Sequence, residues 1–189
     1  MNAPPVEMES PLWRFSLAVY RGAGVEEECL AVQERHGVDV NLLMLCAYVG
    51  AVEGAVLSAS DVADALDATG AWHNEVVRAL RQVRRTLKPS GAASPVVETL
   101  RTKVKGTELE AEQIEHAMMW TWLRARAGQF SSGDPATALA GNVRTLLLRC
   151  GAEGADADPL RVLPHFSAAA SQVAASQTGA RERSIGAHQ

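Results

Sequence analysis

The sequence predicts an all-α protein, a compact globular domain of about seven helices. Ala, Leu, Glu and Arg recur at spacings of three and four residues through most of the chain, as in amphipathic helices. Alternating β-branched residues, which would indicate strands, never continue beyond a few positions. The most apolar run, residues 40–49, is apolar nearly all round, which is typical of a helix enclosed by others. We therefore expect a buried central helix near residues 40–50.

Well-defined caps bound the first three predicted helices. Ser10 is an N-cap and Pro11 occupies the first helical position, so a short helix is expected to about Tyr20. Three glutamates crowd the first turn of the second helix, where unpaired N–H groups favour negative charge, and Gly37 is placed to end it. Asp39 caps the third helix. Its apolar run rises only about 15 Å, half the hydrocarbon thickness of a bilayer, and is too short to cross a membrane.

The middle of the chain predicts two further helices. Ser58 or Ser60 begins one that is expected to pause near Gly70. The next is expected from Trp72 to about Lys88, because apolar residues at spacings of three and four make one stripe along it. A Pro-Ser-Gly run follows and is expected to end it.

Proline and glycine also divide the second half of the chain. Ser94 and Pro95 open a helix that is expected to end at Gly106. Thr107 and Glu110 match a capping box, which predicts a separate helix starting there and reaching about residue 127.

A last helix of the domain is expected from Asp134 and Pro135 to Cys150, before Gly151. Residues 151–159 are expected to be a linker, and the chain to residue 189 a mostly disordered tail, with a short helix near residues 160–176 as an option. The predicted organisation is a flexible N-terminus at residues 1–9, a helical domain at residues 10–150 and this tail at residues 151–189.

Composition excludes some classes of protein. The formal net charge of −4 over 189 residues provides no general attraction to nucleic acid or anionic membranes. Three cysteines far apart argue against both a disulfide framework and a zinc ribbon. The acidic, proline-containing N-terminus lacks the pattern of a secretory signal. We therefore expect a cytoplasmic protein.

Four segments carry a family resemblance: PLWRFSLAVY, GVEEECLAVQERHGVDVNLLMLCAYVG, WHNEVVRALRQVRRTLK and VKGTELEAEQIE. They resemble an uncharacterised proteobacterial domain of unknown function over about residues 10–125. Its most specific blocks are G-x-D-V-N-L-L at residues 37–43 and W-x-x-x-V-V-x-x-L-R at residues 72–81. The resemblance implies no activity, cofactor or catalytic residue.

Two groups of polar residues are candidate metal ligands. His36, Asp39 and Asn41 offer nitrogen and oxygen donors at one helix junction, although capping and helix-dipole roles explain them more simply. Glu112 precedes His116 by four residues and thus shares its helix face, yet the paired Glu-x-x-His motifs of di-metal helical proteins are absent. No metal or other cofactor is favoured. The alternative is a metal site formed by His36, Asp39, Glu112, Glu115 and His116.

A third polar group lies at Trp72–Glu75, where His73 is a titratable group beside an aromatic residue. No serine or cysteine partner is identifiable nearby, so no nucleophilic triad is predicted. No glycine-rich phosphate loop is present either.

The strongest predicted surface feature is a basic helix face, formed by Arg78, Arg81, Arg84, Arg85 and Lys88. Guanidinium forks could hold phosphates or an acidic partner. The favoured alternative is internal pairing with the glutamates at positions 108, 112 and 115 of a neighbouring helix. No aromatic residues interleave with the arginines, which argues against nucleic-acid binding.

These observations favour a non-catalytic protein-binding or adaptor module that engages a protein partner through the basic face. The alternative is a helical enzyme or metal-binding protein in which the five candidate ligands converge. Whether the protein is an enzyme is left open, and no membrane association is expected.

Overall fold

The computed structural model describes the backbone of residues 7–91 and 94–186, and the side chains of residues 7–90 and 94–177. It is compact and 80% helical, with two short strands among the described residues, so the all-α prediction is confirmed. In the described part of the chain, no helix is both long and apolar enough to pass through a membrane.

The elements follow one another with short connections. The α-helices are α1 (Pro11–Tyr20), α2 (Val25–His36), α3 (Val40–Ala51), α4 (Ala59–Trp72), α5 (Arg78–Gly91), α6 (Pro95–Ala125), α7 (Pro135–Arg149), α8 (Pro159–Val162) and α9 (Pro164–Gly186). A π-helical turn (His73–Val77) joins α4 to α5, and a 3-10 turn (Gly154–Ala157) precedes α8. Strands β1 (Ala55–Val56) and β2 (Ser131–Ser132) pair antiparallel, with Ala55 opposite Ser132.

Helix α3 is the centre of the molecule, as predicted. Every residue from Asn41 to Gly50 is buried. Helix α7 approaches it so closely that a Cβ at Gly50 would lie 2.4 Å from the backbone nitrogen of Leu139. Only glycine fits at that crossing.

The predicted caps at the start of the chain are present. The hydroxyl of Ser10 accepts the N–H of Trp13 at 3.1 Å. Gly37 ends α2 with φ at 67°, in the left-handed region. The carboxylate of Asp39 accepts the N–H of Asn41 at 2.9 Å. These contacts are local, which is why the sequence predicts them.

The predicted pause at Gly70 is absent, and α4, the π-helical turn and α5 form one continuous helical rod. In the turn, the N–H of Arg78 donates to the carbonyl of His73, five residues earlier. The turn therefore holds one residue more than an α-helical turn, which changes the direction of the side chains within it. Pro89 lies inside the last turn of α5, which continues to Gly91.

The predicted break at Gly106 is also absent, because α6 continues through it. Instead of capping a new helix, the hydroxyl of Thr107 donates to the carbonyl of Lys103 at 3.2 Å, within the same helix. A mid-helix glycine costs about 1 kcal/mol relative to alanine. Packing of α6 along α5 and α4 offsets this cost.

The predicted linker and tail are folded over residues 151–177. Leu163 and Phe166 are fully buried, and Ala170 joins them in the core. The carboxylate of Glu28 accepts the N–H groups of His165 and Phe166 at the start of α9, at 3.0 and 2.9 Å. Alanines give α9 a narrow surface that packs closely on α1, so few large apolar residues are needed.

The predicted flexible N-terminus and the last part of the predicted tail are only partly covered by the described residues. The side chains of residues 178–189 lie outside the described residues, as do residues 1–6. Of the predicted flexible N-terminus, Glu7 accepts a hydrogen bond from the indole N–H of Trp120 at 2.8 Å. The carbonyl of Met8 accepts one from the Gln113 amide at 3.2 Å.

Candidate metal-binding site

Three potential metal ligands meet where α3, the π-helical turn and α6 come together. Nδ1 of His73 lies 3.1 Å from Oε1 of Glu115 and 3.3 Å from Oδ2 of Asp39. The ligand atoms of all three lie within 4.8 Å of one another. Among the described residues this is the one such group of His, Cys, Asp or Glu.

Local structure explains how each ligand reaches the site. Asp39 is the N-cap of α3, so its position is fixed by the start of that helix. His73 is the first residue of the π-helical turn. The preceding Trp72 donates its indole N–H to the carbonyl of Ala111 in α6 at 2.9 Å, which holds the turn against α6. Glu115 projects from α6, one turn further along from Ala111.

Asn41 orients both carboxylates. Its backbone N–H donates to Oδ1 of Asp39 at 2.9 Å, and its side-chain amide donates to Oε2 of Glu115 at 2.6 Å. One oxygen of each carboxylate is thereby occupied, and the other oxygen of each faces Nδ1 of His73. Such outer hydrogen bonds fix the direction of metal ligands and strengthen their binding.

The site concentrates negative charge in a buried environment. Glu115 is fully buried, and Asp39 is 8% exposed. Burial, followed by the nearby charge of Glu115, raises the pKa of Asp39 from its ordinary value of 3.8 to about 7. Burial also acts to lower the pKa of His73, but the hydrogen bond to Glu115 and the charges of both carboxylates raise that pKa overall. The two carboxylates therefore require a cation between them, either a proton or a metal ion.

The distances match those between neighbouring ligands of a metal ion. Ligand bonds of about 2.0–2.1 Å at tetrahedral angles separate adjacent donor atoms by about 3.3–3.4 Å, and octahedral angles by about 2.8–3.0 Å. The two separations from Nδ1 of His73, 3.1 and 3.3 Å, fall in this range. The same separations also suit a protonated histidine that bridges the carboxylates.

A network of arginines and glutamates extends from the site along α5 and α6. Arg81 donates to Glu112 at 2.7 Å, to Glu108 at 3.2 Å and to the side-chain oxygen of Gln33 at 2.7 Å. Arg84 forms a second ion pair with Glu108. The internal pairing of the basic face is therefore present for these two arginines. Arg78, Arg85 and Lys88 are exposed.

An open cleft of about 770 Å³ borders the site. Two of the candidate ligands, Asp39 and His73, form part of its wall. Arg78, Arg81 and Arg85 line it along α5. Apolar side chains complete the wall, among them Leu66 and Leu146. Glu115, on α6, is thus fully buried behind the site, whereas Asp39 and His73 are reachable from the cleft.

Of the five residues that the sequence offered as an alternative metal site, the structure brings two together, Asp39 and Glu115. His36 stays in the last turn of α2, and Glu112 pairs with Arg81. His116 lies on another side of α6, with Nδ1 2.9 Å from the carbonyl oxygen of Glu112 and Nε2 3.0 Å from the hydroxyl of Ser16. Burial lowers the pKa of His116, which favours a neutral ring. The alternative in which all five groups converge is therefore wrong, because three of them lie elsewhere.

His73 is the candidate ligand that the alternative metal site named from the sequence did not include. The sequence marks it as a titratable group beside Trp72, but as one without an identifiable partner. Its partners lie 34 positions before it and 42 positions after it, at Asp39 and Glu115. The π-helical turn that aims it at them has no reliable sequence signal.

A family model described as "Protein of unknown function (DUF2390)" matches residues 11–119. The chain belongs to this family. The DUF2390 match begins at α1 and ends within α6, so it contains Asp39, His73 and Glu115 together with Asn41. Helices α7, α8 and α9 follow the part of the chain that the family model matches. The chain has no match among curated proteins or among solved structures.

Proposed function

We propose that this protein binds a divalent metal ion, with Asp39, His73 and Glu115 as its protein ligands. One observation carries the proposal: Nδ1 of His73 lies at ligand spacing from two buried carboxylate oxygens whose partner oxygens are both held by Asn41.

The donor set indicates the class of metal. One imidazole nitrogen with two carboxylate oxygens suits first-row divalent ions such as Zn²⁺, Fe²⁺ or the harder Mn²⁺. Three protein ligands leave at least one coordination position for water or a second ligand, which is typical of reactive metal sites and not of structural ones. Asp39 and His73 border the cleft, so that position is expected to be reached from solvent through it.

Metal binding is tested on the purified full-length chain after treatment with EDTA. Titration with Zn²⁺ and Mn²⁺ by calorimetry should give one equivalent bound per chain, and the occupied protein should have a higher melting temperature. His73→Ala should abolish the bound equivalent.

The matched control is His165→Ala. His165 also pairs with a carboxylate, that of Glu28, but at the start of α9 and away from the candidate ligands. This variant should bind metal as the wild type does. Absence of a bound equivalent in the wild type, or an equal loss in both variants, would refute metal binding at His73.

A second candidate function is the binding of a protein partner through the exposed part of the basic face. Its support is that Arg78, Arg85 and Lys88 remain exposed on α5 while Arg81 and Arg84 pair with glutamates of α6. Reversal of the three exposed charges to glutamate should abolish capture of a specific partner without lowering the melting temperature. Unchanged capture would exclude this face.

A further inference from the structure

We propose that the cleft beside the metal site binds a phosphate-bearing small molecule, with its phosphate held between the metal ion and Arg78. This inference rests on the proposed metal site. It adds a ligand class and the residues that recognise it.

The arrangement of cations along the cleft is the first argument. Arg78, Arg81 and Arg85 are spaced three and four residues apart, so they share one face of α5 and all line the cleft. The π-helical turn carries His73, and Arg78 is the first residue after that turn. Of the three arginines, Arg78 is therefore the nearest to His73 along the chain. The cleft thus brings these cations and the candidate ligands Asp39 and His73 to one shared wall.

The three arginines differ in how far their charge is already neutralised. Arg81 is bound by two carboxylates and the Gln33 oxygen, which makes it part of the wall. The side chain of Arg78 donates to the neutral oxygen of Asn74 at 3.0 Å. Across the described part of the chain, neither Arg78 nor Arg85 forms an ion pair with a carboxylate. Their guanidinium groups therefore keep their capacity for an anionic ligand.

The oxyanion best suited to this arrangement is a phosphate. A phosphate has enough oxygens to bind a metal ion and accept a bidentate guanidinium at the same time, whereas a carboxylate has only two. Bridging of phosphates by a divalent ion and a cationic side chain is a general mode of phosphate recognition. One exposed carboxylate, Glu34, also lines the cleft and disfavours a second anion beside it.

The size and lining of the cleft argue for a small molecule with a further part beyond its phosphate. A volume of about 770 Å³ lies within the range of small-molecule sites. Seven residues of helix separate Arg78 from Arg85 by about 10 Å, which is longer than one phosphate group. Leu66, which is only partly buried, offers an apolar contact to the rest of the ligand.

The test measures binding of inorganic phosphate to the whole chain in two states. One sample is loaded with the metal ion, and the other has been made metal-free with EDTA. Phosphate should bind the metal-loaded protein, and its affinity should fall at least about tenfold in the metal-free protein, equivalent to about 1.4 kcal/mol. Arg78→Gln should weaken phosphate binding by a similar factor and leave metal affinity unchanged.

Lys88→Gln is the matched control, because Lys88 is an exposed cation of the same helix that does not line the cleft. It should leave phosphate affinity within twofold of the wild type. No phosphate binding by the metal-loaded protein, equal binding without metal, or equal losses for Arg78→Gln and Lys88→Gln would each overturn this inference. Failure of the chain to bind metal at all would instead overturn the proposed function.

Discussion

Asn41 shows how one residue can orient both carboxylates of the candidate site. It is 7% exposed and directs one hydrogen bond to each carboxylate, one from its backbone and one from its amide. The backbone bond is part of a helix cap, which any residue except proline would provide at position 41. The amide bond to Glu115 depends on asparagine itself.

Asn41→Ala should therefore weaken metal binding as well as lower the stability of the fold. The substitution removes the donor to the buried Oε2 of Glu115, which should cost about 1–3 kcal/mol in the free energy of unfolding. Loss of an outer-shell hydrogen bond should lower metal affinity by about 10–100-fold. Urea denaturation and calorimetric metal titration measure the two effects.

Asn142→Ala separates these effects. Asn142 is also a buried asparagine, but its amide bonds to the backbone of Ala55 and Cys46, outside the candidate ligands. It should lose stability and retain metal affinity. Equal metal affinities for the two variants would contradict the organising role of Asn41.

Asp39 gives the metal-free protein a characteristic dependence on pH. Its pKa is raised from 3.8 to about 7 on folding, so between these values the folded state holds a proton that the unfolded state releases. Its contribution to stability therefore falls as pH rises from about 4 to about 7. Asp39→Asn keeps an N-cap residue and removes the titrating group.

In EDTA, Asp39→Asn should thus gain stability relative to wild type as pH rises from 5 to 8, measured by urea denaturation at each pH. Asp67→Asn, at an exposed position of α4, is the control and should show no such trend. A difference between Asp39→Asn and wild type that shrinks or stays constant with rising pH would contradict the raised pKa.

At the scale of elements, the contact between α5 and α6 depends on partly buried charges. The Glu108 side chain is 7% exposed and accepts hydrogen bonds from both Arg81 and Arg84. Hydrogen bonds from both arginines, with their charges, outweigh burial and lower the pKa of Glu108 overall. Removal of this carboxylate leaves two guanidinium groups with one strong acceptor fewer.

Glu108→Gln should accordingly cost about 1–3 kcal/mol in the free energy of unfolding. Glu98→Gln is the matched control, because Glu98 pairs with Arg101 within α6 and its side chain is 44% exposed. An exposed pair of this kind contributes about 0.2–1 kcal/mol. Chemical denaturation that gave equal costs for the two variants would show that the Glu108 pairs between α5 and α6 add no more stability than an exposed ion pair.

Helix boundaries differ in how far the sequence predicts them. The caps at Ser10, Gly37 and Asp39 depend on bonds within two to four residues, so local sequence is sufficient. At Gly70 and Gly106 the local signals favour a break, yet the helices continue. There the packing of α4, α5 and α6 on one another outweighs the local cost of glycine.

At the scale of the whole molecule, the C-terminal segment completes the core. Phe166 in α9 is fully buried, in the same core as residues of α1 and α3. Phe166→Ala should cost about 3–5 kcal/mol in the free energy of unfolding, measured in urea. Leu160→Ala, where the side chain is 68% exposed, should cost less than about 0.5 kcal/mol. A Phe166→Ala variant as stable as Leu160→Ala would mean that the segment is not part of the folded unit in solution.

The sequence alone determined the helical class, the buried α3, the caps at its start and the membership suggested by its motifs. Each of these depends on periodicity or on contacts between near neighbours, which a linear sequence records directly. Only the tertiary structure decided that His73 meets Asp39 and Glu115, and that Arg81 turns to Glu108 and Glu112. These contacts join residues 27 to 42 positions apart, and the crossing of helices and the added residue of the π-helical turn set their directions. The spacing of residues within one helix carries no information about how helices cross or about where a π-helical turn adds a residue.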